Sequence, residues 1–160
     1  SYYNVKNKNL FADMLEQEIE DGRRIIFEND NFVCFLPFAS EYPYGIMIMP
    51  KRNVIAINDF NEKESLALAD TLKKATTTLD TLFDMKFPYM MCMYSAPVND
   101  GFNYNDIWRY HIEFFPPMRS KEKQKFNASS ETGAWAPCNP TSPEEMAANL
   151  RTAYFRNIGM

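Results

Sequence analysis

The segment Ile107–Pro117 constrains this chain more than any other, because its side chains alternate in chemical character. In a strand, successive side chains point to opposite faces. One face then carries the guanidinium of Arg109, the imidazole of His111 and the carboxylate of Glu113. His111 is the single histidine among 160 residues. The opposite face carries Trp108, Tyr110, Ile112 and Phe114. Pro116 and Pro117 have no backbone N–H to donate to a neighbouring strand, so they end this strand.

The polar row has three open interpretations. It can be the wet or half-covered face of an antiparallel sheet. It can face a ligand or a degenerate metal site. It can also be catalytic, with His111 as a nucleophile, Glu113 stabilising its charged form and Arg109 meeting a phosphate. No second histidine and no glycine-rich phosphate cradle accompanies it in the sequence.

The first part of the chain predicts one helix and three strands. Asn9 is a helix cap and Gly22 a stop, so a helix is expected over 9–21. Residues 1–8 are polar and are expected to be loose. Runs of apolar residues bounded by turn residues predict strands at Arg24–Phe27, Phe32–Leu36 and Tyr44–Met49.

The longest predicted helix begins at Asn61, with Glu64 in the capping-box position. Apolar residues recur at intervals of three and four along it, which predicts one buried stripe. Its members are Leu66, Ala69, Leu72, Ala75, Leu79, Leu82 and Phe83. Phe87-Pro88 ends this helix.

The rest of the chain completes the predicted sheet. Tyr89–Tyr94 is the fourth strand, whose methionines read as core filler and whose Cys92 reads as a buried, inert thiol. Residues 121–140 have no clear hydrophobic periodicity, which predicts an ordered but irregular segment that runs over the surface. Ser142–Glu145 begins a C-terminal helix, whose buried face is Met146, Leu150, Ala153 and Tyr154. We therefore expect residues 1–160 to form a single α+β domain with a five-stranded antiparallel sheet, one long helix between strands three and four, and a C-terminal helix.

Composition excludes several partner classes. The net charge of −4 gives no general attraction to nucleic acid or to an anionic membrane. No apolar run is long enough to span a bilayer, and no secretory signal is visible. Three widely spaced cysteines indicate a reduced, cytoplasmic setting. With one histidine and no C-x-x-C pair, a zinc site built from this chain alone is not expected.

Several segments carry a family resemblance in chain order. Pro50–Val54 resembles a Pro-Lys-x-His-Val motif, and Phe87–Met91 resembles Phe-Pro-Tyr-Ser-Met. Trp108–Pro117 resembles Trp-Gln-Leu-His-Ala-His-Phe-Tyr-Pro-Pro, and the strap, Lys125–Glu131, resembles Lys-Phe-Met-Val-Gly-Tyr-Glu. These motifs are similar to the C-terminal half of the galactose-1-phosphate uridylyltransferase family, in the histidine-triad superfamily. The resemblance covers residues 23–156.

That resemblance implies a histidine-triad-like half barrel and a role in uridylyl transfer between a hexose 1-phosphate and UDP-glucose. The family's nucleophilic histidine lies in the N-terminal half, on a His-Pro-His-x-Gln motif that these residues do not contain. The chain is thus expected to contribute scaffold and part of the UDP-hexose pocket. Implied partners are UDP-hexose or hexose 1-phosphate, an N-terminal catalytic half, and a second copy in a homodimer.

The strap supplies the candidate substrate-binding residues Lys125, Phe126 and Glu131. In the family it reaches the sugar of the UDP-hexose, often in the partner subunit. A lysine suits phosphate and a glutamate suits sugar hydroxyls. Ser130 departs from the family tyrosine, which leaves the identity of the hexose open.

The resemblance also implies a structural zinc or iron ion held by three histidines of this half and a carboxylate from the other half. Only His111 matches, since Tyr94 and Glu113 stand where two others are expected, and Asn53 replaces the histidine after Pro-Lys. Two ligands do not make a site, so we expect the metal to be lost. The alternative functions are a non-catalytic nucleotide-sugar or partner-binding module, and a small histidine-triad-like hydrolase or phosphorylase that uses His111.

Overall fold

An antiparallel sheet with helices against both faces organises the chain. The computed structural model describes residues 2–158. In chain order, the elements are α1 (Tyr2–Lys6), α2 (Leu10–Asp21), β1 (Ile25–Glu28), β2 (Phe32–Phe35), β3 (Met47–Pro50), a 3-10 turn (Ile57–Asp59), α3 (Glu62–Leu82), β4 (Met90–Tyr94), β5 (His111–Phe115), β6 (Met118–Ser120), β7 (Lys123–Gln124), α4 (Ser129–Ala134) and α5 (Pro143–Ile158).

The central sheet has five strands in the order β1-β2-β3-β5-β4, and every neighbouring pair is antiparallel. The long helix α3 connects β3 to β4, and α5 follows the last strands. The predicted α+β fold, with its five-stranded antiparallel sheet and its two helices, is confirmed. Strand β5, which carries the lone histidine, lies inside the sheet between β3 and β4.

The two faces of the sheet have separate apolar cores because side chains alternate along each strand. Helices α3 and α5 cover one face, where Cys34 and Ile48 lie beside Ile112. Helix α2 covers the other face, where Leu15 packs on Val33 and its neighbours. All four residues of β2 are therefore buried.

Helix α2 ends where its capping residues predict. The Asn9 side chain accepts a hydrogen bond from the Phe11 backbone N–H at 2.9 Å, and Gly22 ends the helix with a φ of 68°. Residues 1–8 were expected to be loose, whereas Tyr2–Lys6 form α1 and the Tyr2 hydroxyl donates to Asp13. Ser1 lies outside the described residues.

Helix α3 begins with the predicted capping box, in which Asn61 and Glu64 exchange side-chain-to-backbone hydrogen bonds of 3.0 and 2.9 Å. The predicted buried stripe is partly wrong, since Leu66 is 67% exposed. The buried residues are Glu64, Leu68, Thr71, Ala75, Thr78 and Leu79. Thr71 can be buried because its hydroxyl donates to the Ala67 carbonyl within the helix at 2.7 Å.

Residues 121–140 contain more regular structure than their sequence predicts. Strand β7 pairs with β6, which directly precedes this segment, in a separate two-stranded sheet, and α4 begins within the strap. The buried face predicted for α5 is largely correct: Met146, Leu150 and Ala153 are buried, and Tyr154 stacks on Phe27. None of the helices within residues 2–158 combines the length and the apolar character that a bilayer crossing requires.

The two edges of the sheet differ. At the β1 edge, Arg151 of α5 donates from Nη1 to the carbonyls of Arg23 and Ile25, at 2.6 and 2.8 Å. At the opposite edge, Met90, Met91 and Met93 of β4 are 56, 38 and 44% exposed. One edge is thus covered by a side chain from within the chain, and no described element covers the other.

Candidate functional site

His111 lies at the start of β5, beneath helix α2. Its imidazole is 3% exposed and is stacked between two rings, with centroids 4.6 Å from Phe11 and 4.8 Å from Tyr94. Tyr94 is also its direct cross-strand partner on β4. The prediction of a solvent-exposed or half-covered face is therefore wrong at His111, because α2 packs across it through a contact that no local sequence pattern indicates.

The polar contacts of His111 fix its tautomer. Its Nδ1 lies 2.8 Å from the Arg109 carbonyl, which can only accept, so Nδ1 carries a proton. Its Nε2 faces Oε1 of Glu113 at 3.5 Å. Burial lowers the pKa of His111, against the smaller opposing effect of its backbone hydrogen bond. The neutral ring then presents the Nε2 lone pair towards Glu113.

Arg109 lies on the same side of the sheet as His111 and Glu113, since it lines a cavity with Leu15 and Glu16 of α2. It precedes β5, and its buried guanidinium donates to the Asn53 side chain at 3.3 Å and to the Lys51 carbonyl at 3.4 Å. Burial lowers its pKa. The assignment of Trp108 to the opposite face is wrong, since its ring packs edge-on against Phe11 at 5.2 Å. Trp108 precedes β5, whose regular strand geometry begins at His111, so the alternation of a strand does not fix its side.

Glu113 and Tyr94 line a cavity of about 420 Å³ on the α2 side of the sheet, together with Phe11, Glu41 and Tyr42. Burial raises the pKa of Glu113, and the Glu41 carboxylate adds to that shift. Burial, followed by the charge of Glu113, raises the pKa of Tyr94. Both shifts extend the pH range over which these two groups keep their protons. We refer to this space as the larger of the two cavities at the site.

The structure brings together the three positions at which the resemblance places metal-binding histidines, but the donors do not fit a zinc or iron ion. His111 and Glu113 offer one nitrogen and one carboxylate, and Tyr94 lies face-on against the imidazole. Within residues 2–158, no group of three histidine, cysteine, aspartate or glutamate side chains is arranged to hold a metal ion. Zinc needs three or four protein ligands.

The strap residues Lys125 and Glu131 form an ion pair, with Nζ and Oε1 2.5 Å apart. Glu131 also accepts the backbone N–H groups of Ala128 and Cys138, at 2.6 and 3.1 Å. The Lys125 hydrogen bond, followed by these two, lowers the pKa of Glu131 to about 2. The pair folds the strap onto the molecule, with the Lys125 ammonium 5.2 Å from the centre of the Tyr42 ring.

A smaller cavity of about 260 Å³ lies beside this ion pair and is lined by Lys125, Glu131, Trp135 and Tyr42. It shares Glu41 and Tyr42 with the larger cavity, so the two form neighbouring parts of one surface. Phe126, the third predicted strap residue, is 82% exposed and Trp135 is 91% exposed. The role of Glu41 at these cavities could not be predicted from the sequence, because it lies in an irregular loop between two prolines that has no hydrophobic periodicity.

Strand β4 differs from its predicted role. Its methionines are exposed at the edge of the sheet instead of filling the core, and Cys92 is exposed instead of buried. An apolar run reads as a buried strand in sequence, and only the strand order shows that β4 has one neighbour. The exposed apolar side chains lie on a free strand edge, which is a ready template for pairing with another strand.

Comparison with known proteins decides the family. Residues 1–132 match the family described as galactose-1-phosphate uridyl transferase, C-terminal domain. The chain belongs to this family, as its C-terminal domain. It is 40% identical over 150 residues to galactose-1-phosphate uridylyltransferase of Thermotoga maritima, covering 94% of the chain and 46% of that relative. The chain thus spans about half the length of such relatives.

Solved structures agree with the family assignment. A uridylyltransferase mutant superposes with a TM-score of 0.87 at 28% identity, covering 98% of this chain and 50% of the other. A zinc-bound histidine triad family protein from Mycobacterium smegmatis superposes with a TM-score of 0.59 at 15% identity, covering 94% of this chain and 96% of that one. The second likeness concerns the fold alone, which is histidine-triad-like.

Proposed function

We propose that this chain acts as the C-terminal part of a UDP-glucose–hexose-1-phosphate uridylyltransferase. It supplies scaffold and part of the UDP-hexose pocket, and the nucleophilic histidine comes from an N-terminal half. The observation that carries the proposal is the 40% identity to the Thermotoga maritima uridylyltransferase over nearly the whole chain. The two neighbouring cavities that share Glu41 and Tyr42 provide the surface for the nucleotide sugar.

The N-terminal half pairs with the open edge of β4 in this proposal. Arg151 covers the β1 edge, which leaves β4 as the exposed edge of the sheet. Its exposed side chains, Met90, Met91 and Met93, are apolar and suit burial against another strand or helix. Relatives about twice as long as this chain have the additional residues that such a partner requires.

The strap binds the nucleotide sugar in its folded form. Lys125 uses one donor on Glu131 and keeps others for a phosphate oxygen at the smaller cavity. Glu131 holds the strap closed through three donors and offers its remaining acceptor capacity to a sugar hydroxyl. The exposed rings of Phe126 and Trp135 contact a second copy of the chain, which gives the homodimer that the family resemblance implies.

His111 has a structural role in this proposal and does not act as a nucleophile. Its ring is covered on both faces by Phe11 and Tyr94, and its Nδ1 is bonded to the backbone. An attacking imidazole needs a free nitrogen in a site open to substrate. A small hydrolase or phosphorylase built on His111 therefore finds no support in this geometry.

The test follows uridylyl transfer between UDP-glucose and galactose 1-phosphate. We expect no turnover from this chain alone, and formation of UDP-galactose when it is mixed with the separately produced N-terminal half of the Thermotoga maritima relative. Turnover by the chain alone would place the nucleophile within these residues and contradict the proposal. If the chain alone turns over, loss of that turnover in His111→Asn, in a preparation whose circular dichroism spectrum matches that of the wild type, would identify His111 as the nucleophile.

A second candidate function is non-catalytic binding of a nucleotide sugar, which the preformed Lys125–Glu131 pair at the smaller cavity favours. Calorimetric titration of the chain with UDP-glucose tests it. Binding should be lost in Lys125→Ala and in Glu131→Ala. The exposed neighbours provide matched controls, since Lys121→Ala and Glu122→Ala should bind as the wild type does. Equal binding in all four variants would show that the strap is not part of the nucleotide-sugar pocket.

A further inference from the structure

A stack of three rings joins three separate elements of the fold. Phe11 belongs to α2, Tyr94 to β4 and His111 to β5. The imidazole lies between the other two rings, tilted by 28° against Phe11 and by 18° against Tyr94. We call these three residues the ring stack.

We propose that the ring stack replaces a structural metal ion in this chain, so that the domain folds and assembles without zinc or iron. A structural metal ion stabilises a fold by tying together side chains from distant parts of the sequence. The ring stack does the same for positions 11, 94 and 111 through apolar and aromatic contact. Tyr94 and His111 are also opposite each other in the sheet, where cross-strand pairs stabilise most.

The orientation of the rings excludes Tyr94 as a ligand of a metal ion on His111. An ion bound to an imidazole nitrogen lies in the plane of the ring, along the nitrogen lone pair. The Tyr94 ring lies against the face of the imidazole, out of that plane, with centroids 4.8 Å apart. Tyr94, in place of the histidine that the resemblance implies, therefore removes a metal ligand and supplies a ring that stacks on His111.

The remaining donors are already engaged or too few. Nδ1 of His111 bonds to the Arg109 carbonyl at 2.8 Å, so only Nε2 is free to bind an ion. Within residues 2–158, Glu113 supplies the one carboxylate in contact with it, with Oε1 at 3.5 Å. Helix α2 lies over the imidazole through Phe11, and the tilted Trp108 ring, 5.6 Å away, covers another side. Side chains thus pack against the imidazole, and its Nε2 is left facing Glu113 at the wall of the larger cavity.

The first experiment measures metal content and thermal unfolding of the 160-residue chain, alone and mixed with the N-terminal half of the Thermotoga maritima relative. We expect substoichiometric zinc and iron by mass spectrometry, and a melting temperature that a strong chelator leaves unchanged. A bound ion near one per chain, or a chelator-induced fall of several degrees, would overturn the proposal. Neither readout depends on uridylyltransferase activity.

The second experiment separates the Tyr94 ring from its hydroxyl. Tyr94→Phe keeps the ring and removes the oxygen, so its melting temperature should match that of the wild type. Tyr94→Leu removes the ring and should lower the melting temperature by several degrees. Equal losses in the two variants would show that the hydroxyl is the essential group, as expected of a ligand, and would contradict the stacking role.

The third experiment places histidine ligands at positions 94 and 113, where the family resemblance expects them. The double variant Tyr94→His, Glu113→His places three histidines on adjacent strand positions around the His111 nitrogen. We expect it to bind cobalt(II) at a ratio of one per chain, with visible absorption bands that the wild type lacks. Cobalt bands of equal strength in the wild type, or none in the double variant, would show that the ring stack does not occupy a former ion site.

Discussion

Arg151 donates from Nη1 to the backbone carbonyl of Ile25 across 2.8 Å and so covers the outer edge of β1. A second bond from the same nitrogen reaches the Arg23 carbonyl at 2.6 Å. Unpaired carbonyl groups on a sheet edge invite pairing with other chains, and a charged side chain over the edge prevents it. This contact makes the two edges of the sheet chemically different.

Arg151→Ala should therefore destabilise the chain and promote its self-association. Hydrogen bonds to charged groups contribute about 1.5–3 kcal/mol each. Because this side chain is partly exposed, we expect the free energy of unfolding to fall by about 1 kcal/mol. Urea unfolding measures the loss, and light scattering measures association. Arg119→Ala is the matched control, since Arg119 is exposed. Equal behaviour of the two variants would show that Arg151 does not protect the edge.

The buried face of α3 can be tested with a pair of leucines two residues apart. Leu68 is 6% exposed and Leu66 is 67% exposed. Leu68→Ala should lower the free energy of unfolding by about 2–4 kcal/mol, because it leaves a cavity in the core. Leu66→Ala should change it by less than about 0.5 kcal/mol. Chemical denaturation compares them, and a larger loss from Leu66→Ala would restore the stripe predicted from the sequence.

The acid stability of the strap depends on Glu131. Its pKa falls from an ordinary 4.5 to about 2 in the folded chain, chiefly through Lys125. Between these two values the unfolded chain binds more protons, so stability increases with pH. The stabilising contribution of Glu131 is complete above about pH 4.5 and is lost as the pH falls towards 2.

Glu131→Gln should remove that part of the acid dependence. Its unfolding free energy should lie below that of the wild type at neutral pH, and the two should converge near pH 2. Thermal unfolding between pH 2 and 7 measures both curves. Glu122→Gln, at an exposed position outside the ion pair, should follow the wild type at every pH. A constant difference across this range would contradict the assigned pKa.

The free thiols report on the open edge of the sheet. Cys92 on β4 and Cys138 are exposed, whereas Cys34 is buried and burial raises its pKa. A thiol reagent should modify Cys92 and Cys138 in the folded chain, and Cys34 only on unfolding. Adding the N-terminal half should protect Cys92 and leave Cys138 reactive. Unprotected Cys92 in a stable complex would place the partner elsewhere.

Local signals predicted the boundaries of elements well. Asn9 and Gly22 frame α2, Asn61 and Glu64 begin α3, and Pro143 begins α5, because caps act through neighbouring backbone groups that the sequence specifies. The family resemblance rested on motifs of the same local kind. The five strands of the central sheet and the position of the long helix were predicted, whereas β6 and β7 were not.

Features that depend on distant contacts were not predicted. The exposure of Met90 and Cys92 follows from the place of β4 at the end of the strand order. The burial of His111 follows from α2, which begins about one hundred residues earlier in the sequence. Hydrophobic periodicity describes one element at a time and carries no information on which elements become neighbours.

Tyr94 belongs at once to the open edge of the sheet, to the ring stack and to the wall of the larger cavity. A strand that pairs with β4 fixes the backbone of Tyr94, and its ring cannot then shift without disturbing His111. Assembly with a partner and the shape of the cavity are therefore mechanically coupled through one tyrosine. In the proposed function, the affinity for the nucleotide sugar then depends on assembly at the edge of the sheet.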